Sequence, residues 1–138
     1  MTTTLRAIRA GLLVPLALLL AGTAPAAHAS PRHGPGNWLG LAVTRGDARS
    51  GDTRGVLLLC DPPQGHDHAA EACRQLAAAR GDIDRIPRET GAMCPMLYAP
   101  VTVSAYGRWD GRRVDYRHTF SNSCVMKAGT GAVFDLPG

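Results

Sequence analysis

The chain has 138 residues and a formal net charge of +4, which is enough for one small domain and too little for several. Its charges are interspersed, and Arg112-Arg113 is the only basic doublet. This excludes a polybasic nucleic-acid tract and describes a soluble surface.

Met1 to Ala29 reads as a secretory signal. Arg6 and Arg9 make a positive start, an apolar run from Gly11 to Leu20 follows, and Ala27-His28-Ala29 is a small-residue cleavage site. The run is too short to cross a bilayer comfortably, so no membrane partner is expected after cleavage. Losing Arg6 and Arg9 takes the charge from +4 to +2. Ser30 to Gly36 (SPRHGPG) is rich in Pro and Gly and reads as a flexible tail. The domain is expected over residues 37–138.

Trp38 to Val43 and Val56 to Cys60 are apolar runs of strand length, separated by the polar, Gly-rich stretch Arg45 to Arg54. They read as an antiparallel pair with a long connection. Asp61 to Gly65 (DPPQG) breaks the second strand. A helix is expected from His68 to about Ala79, with Asp67 as its N-cap and Ala69, Cys73 and Leu76 on one face. Gly81 suits the left-handed position beyond its end.

Gly81 to Ala92 has no clean period and contains Pro87. Val101 to Tyr106 reads as a strand, Gly107 to Gly111 as a turn, and Arg113 to Phe120 as a half-buried strand. Val114, Tyr116, His118 and Phe120 share one face of that last strand. Ala132 to Phe134 is a candidate short final strand. The class is α+β: an antiparallel sheet of about five strands with a helix on one face.

All four cysteines, Cys60, Cys73, Cys94 and Cys124, lie beyond the signal. An even number in a short exported chain reads as two disulfides, with three pairings open. Cys60, His66, His68 and Cys73 are zinc-ligand types, but their spacing fits no common zinc knuckle and the compartment is oxidising. No metal and no cofactor are expected. Arg45-Gly46-Asp47 and Arg80-Gly81-Asp82 repeat an adhesion tripeptide, and turn usage is the better account of both. Neither G-x-S-x-G nor H-E-x-x-H occurs. His118 reads as a structural histidine, so an enzyme is not expected.

"AMCPMLYAP", Ala92 to Pro100, is the most constrained stretch. Pro95 fixes its own φ and drives Cys94 toward extended backbone, and Pro100 does the same to Ala99. Composition leaves two readings open. One is a rigid exposed loop with Met96 at its crest; the other is a crossing that buries Met96 and Leu97 in the core.

Met93 to Pro100 (MCPMLYAP), Gly107 to Tyr116 (GRWDGRRVDY) and Phe120 to Cys124 (FSNSC) together resemble the Streptomyces subtilisin inhibitor family. The resemblance implies a five-stranded antiparallel sheet with two helices packed on one face. It also implies Cys60–Cys73 and Cys94–Cys124 disulfides, a sheet-mediated homodimer, and a secreted inhibitor of serine proteases; an unbranched apolar residue at position 96 suits subtilisin-like and chymotrypsin-like pockets. It places the reactive bond at Met96–Leu97, with Met96 as the specificity residue and Met93, Cys94, Pro95, Tyr98, Ala99 and Pro100 as loop contacts. Ala99, Tyr106 and Asp67 depart from the family pattern. A non-inhibitory extracellular binding module on the same scaffold is the alternative.

Overall fold

The computed structural model describes residues 36–46 and 52–137. The expected signal, nearly all of the expected tail, and the middle of the Arg45 to Arg54 connection with Asp47 lie outside the described residues. The elements are β1 (Trp38–Arg45), β2 (Thr53–Cys60), β3 (Pro63–Gln64), α1 (Ala69–Ala78), a 3-10 turn (Ile83–Arg85), β4 (Val101–Trp109), β5 (Arg112–Phe120) and α2 (Ser123–Thr130). The strands form one sheet in the order β3-β2-β1-β4-β5, antiparallel throughout.

Alternation along the strands divides the sheet into two unlike faces. Leu58 stands beside Leu39 across β2 and β1, and Leu41 beside Ala105 across β1 and β4. With Val101 and Val103 they form the inner face of the core. Both helices cover that face: α1 contributes Ala72, Cys73 and Leu76, and α2 contributes Met126. The opposite face carries Trp38, Leu57 and Tyr106, with Leu57 and Tyr106 largely exposed. Tyr106 lies edge-on to Trp38 and over Gly40, where an added Cβ would fall 2.4 Å from its ring.

Cys60–Cys73 ties the end of β2 to α1, with Cα atoms 5.5 Å apart. Cross-linking a loop of this length stabilises by about 3 kcal/mol in the chain-entropy model. Cys94–Cys124 ties the chain entering β4 to the start of α2. These are the two pairings that the resemblance implies.

Four local expectations change. The fifth strand is β3, inside the stretch read as a strand breaker: Pro63 and Gln64 pair with Cys60 and Leu59. Ala132 to Phe134 instead turns after α2, burying Val133 and Phe134 against the core. The β4–β5 turn is narrower than expected, because Gly107 and Trp109 belong to β4. Asp110 and Gly111 alone make it, both at positive φ (47° and 74°), as a two-residue hairpin of the tighter-twisting kind requires.

The cap of α1 also differs. Its N-cap is His68, whose side chain caps nothing. The His68 N–H donates to Nδ1 of His66 (2.9 Å), and Asp67 is exposed. His118 is exposed, with its ring packed against Phe120 at a centroid distance of 4.4 Å.

Candidate functional site: a mounted loop

Between the 3-10 turn and β4 the chain runs from Ile86 to Pro100 without helix or strand. Six large apolar or aromatic side chains stand exposed among the described residues, and four of them are here: Met93, Met96, Leu97 and Tyr98. Met93 and Met96 are fully exposed. The buried-crossing reading therefore fails. Exposing four such side chains together forgoes several kcal/mol of burial, at about 1.5–3 kcal/mol for each large apolar group. A cluster of this kind on a folded protein marks a contact surface.

Such a loop would be mobile on its own, yet this one is fastened at several points to α2 and the chain leading into it. The Glu89 N–H donates to the Ala128 carbonyl (2.8 Å) and the Ala99 N–H to the Ser121 carbonyl (2.9 Å). The Cys94–Cys124 bridge lies between them. Gly46 adds an anchor from the far end of β1, its N–H donating to the Pro100 carbonyl (2.8 Å).

Asn122 makes the closest attachment. Its Nδ2 donates to the carbonyls of Pro95 and Leu97, each at 3.0 Å. Its Oδ1 accepts from the Val125 N–H at 2.9 Å, which caps α2. The residue is only 6% exposed, with both amide donors given to the loop and its oxygen to the helix. Carbonyls two residues apart reach the same donor in extended chain, where successive carbonyls alternate sides.

Every residue expected at the site, Met93, Cys94, Pro95, Met96, Leu97, Tyr98, Ala99 and Pro100, lies on this one loop. Asn122 lies outside that set: its role depends on the start of α2, which the sequence pattern does not show. The departure at Ala99 leaves the loop fastened there, because its attachment to Ser121 is through backbone.

The zinc-type set has other employment. Both cysteines are in a disulfide, His66 Nε2 lies 3.2 Å from the Val133 carbonyl, and His68 Nε2 lies 3.6 Å from Asp135. Among the described residues no group of three or more His, Cys, Asp or Glu could hold a metal ion. Arg80-Gly81-Asp82 closes α1, with Gly81 at φ 75° and donating to the Leu76 carbonyl (2.8 Å), so it serves as a turn.

A small sheet braced by two disulfides, displaying a fixed loop of exposed apolar side chains, has the build of a rigid-loop binding protein. Residues 35–122 match the family model described as Subtilisin inhibitor-like, and the chain belongs to that family. A protein of Streptomyces avermitilis is 56% identical over 136 residues, covering 99% of this chain and 90% of the relative. The Subtilisin inhibitor of Streptomyces albogriseolus is 40% identical over 124 residues, covering 86% and 81%. Among solved structures, Streptomyces caespitosus sermetstatin, in complex with Bacillus licheniformis subtilisin, aligns with a TM-score of 0.59 at 33% identity. That alignment covers 72% of this chain and all of sermetstatin.

Proposed function

We propose that the chain is a secreted inhibitor of subtilisin-like serine proteases that also accepts chymotrypsin-like ones, acting through a reactive bond between Met96 and Leu97. The observation that carries this is the pairing of exposure with fixation. Met96 is fully exposed, while the carbonyls on either side of it are held by one buried side chain, Asn122. The solved complex of sermetstatin with subtilisin supports the choice of partner.

The loop enters the protease cleft as a substrate does and pairs its backbone with enzyme strands. Met96, long and unbranched, fills the primary pocket, and Met93, Pro95 and Tyr98 extend the contact on both sides. The enzyme's serine oxygen adds to the Met96 carbonyl carbon, and the Met96–Leu97 bond breaks with the Leu97 amine as leaving group. That amine does not diffuse away, because the Leu97 carbonyl is bonded to Asn122 and Ala99 to Ser121. Its return to the acyl group competes with water. Affinity follows from a loop that loses little freedom on docking. The chain supplies no catalytic group of its own.

Met1–Ala29 is the segment removed on export, Ser30–Gly36 a tail, and 37–138 the inhibitor domain. The uncovered sheet face with Trp38, Leu57 and Tyr106 fits a second copy of the chain, giving a homodimer with its two loops free.

The test is titration of subtilisin with purified protein. Stoichiometric loss of activity at one inhibitor domain per enzyme, with slow cutting confined to the bond after Met96, is the expected result. Rapid cutting at several points from Met93 to Pro100 without loss of enzyme activity would reject inhibition and leave a binding module on this scaffold.

A further inference from the structure

Four methionines occur in the chain, and the structure treats the three that it describes very differently. Met93 and Met96 are fully exposed, whereas Met126 is 3% exposed beneath α2. All four cysteines are in disulfides, so no thiol competes for an oxidant. Trp109 is buried and Trp38 half-buried. The softest accessible electron pairs in the domain are therefore two thioether sulfurs, one of them on the residue that meets the protease pocket.

We propose that Met96 is an oxidation site for hydroperoxides, and that its conversion to the sulfoxide releases the protease. A lone pair on the Met96 sulfur attacks the distal peroxide oxygen. The O–O bond breaks and a sulfur–oxygen bond forms. With hydrogen peroxide, water leaves carrying the remaining oxygen and both protons. Sulfur loses two electrons and the peroxide gains them.

The product is a polar, chiral group in place of a flexible apolar one. In water it is well solvated. In an apolar protease pocket its oxygen finds no donor, and burying an unpaired polar group is unfavourable. The rigid mount sharpens the effect: Asn122 and the bridge hold the loop in register, so the modified side chain cannot retreat and let a neighbour take its place. Met93 reacts as well, but it lies three residues before the reactive bond and its oxidation leaves the primary pocket contact intact. The release rests on the inhibitor reading above; the oxidation itself does not.

The experiment treats the protein with hydrogen peroxide at neutral pH, removes the peroxide with catalase, maps oxidised peptides by mass spectrometry, and titrates subtilisin. Wild type, Met93→Leu and Met96→Leu are compared, since leucine stays apolar and does not oxidise. The expected map shows oxygen added at Met93 and Met96 and none at Met126. Treated wild type and treated Met93→Leu should inhibit about tenfold or more weakly, while Met96→Leu, in which only the outlying Met93 contact is altered, should weaken far less on treatment. Two results would overturn the proposal: Met96 resisting peroxide as Met126 does, or fully oxidised Met96 inhibiting as tightly as before. If untreated protein fails to inhibit at all, the inhibitor reading and the release fall together, while the map still decides whether Met96 is the oxidation site.

Discussion

Asn122 concentrates in one side chain what a reactive loop needs. An amide offers one oxygen and two N–H donors, and here the oxygen holds a helix while the nitrogen holds two carbonyls. The two duties can be separated. Asn122→Asp keeps the cap oxygen, loses both donors, and sets a carboxylate against two carbonyls. Two lost hydrogen bonds amount to about 1–3 kcal/mol. The expected outcome is near-normal folding by circular dichroism, with a weaker inhibition constant and faster cutting after Met96. Asn122→Ala should in addition lower stability by about 1 kcal/mol, the ordinary cost of a lost cap. The proposed specificity role of Met96 is tested at the same scale. Met96→Lys should gain inhibition of trypsin, whose pocket pairs a positive charge; an unchanged trypsin assay would remove Met96 from that role.

At the scale of elements, the Cys94–Cys124 bridge connects loop to helix. Replacing both cysteines by serine should leave the sheet intact, because no strand ends in that bridge. The same change should convert the inhibitor into a substrate cut after Met96, read as rapid appearance of two fragments on incubation with subtilisin. β1, β2 and β5 could be read from the sequence because their apolar residues alternate or cluster at strand length. α1 could be read because alanine favours helix and Ala69, Cys73 and Leu76 share a face. α2 could not be read: Ser123 to Gly131 holds two glycines, a valine and a threonine, all poor helix formers, and it is packing of Met126 that makes it a helix. β3 was hidden by Pro62 and Pro63, because an edge strand of two residues tolerates prolines that a central one would not. The loop itself was legible as rigid but not as exposed, since the same apolar residues would suit a core.

For the whole molecule, the sheet's two faces lead different lives. Leu57→Glu places a charge on the uncovered face, away from both loop and core. If that face holds the proposed dimer, the expected result is a shift from dimer to monomer in analytical ultracentrifugation, with the fold and subtilisin titration unchanged.

The other face carries a pH dependence. His66 lies between α1 and the turn after α2, with Nδ1 accepting from the His68 N–H and Nε2 donating to the Val133 carbonyl. Both bonds suit the neutral ring. Burial, opposed by the Val133 bond and by Asp67 and Asp135 and aided by His68, lowers its pKa from 6.5. The unfolded chain thus takes up a proton before the folded one does. The stability due to His66 is fully present above pH 6.5 and declines as pH falls below it. Melting temperature should drop between about pH 7 and pH 5, and His66→Gln should flatten that slope.

The strand order has a consequence for the nicked molecule. A cut between Met96 and Leu97 leaves β1, β2, β3 and α1 on one fragment and β4, β5 and α2 on the other. Yet β4 is zipped to β1 from Trp38 opposite Arg108 to Arg45 opposite Val101, and Cys94–Cys124 joins the fragments covalently. The product is a two-chain protein with a one-chain architecture. Hydrolysis changes its connectivity while liberating almost no motion, so the entropy that ordinarily drives proteolysis forward is largely withheld. If the proposed bond is the one cut, the two forms should differ little in free energy, and a protease that cuts it would be placed to rejoin it.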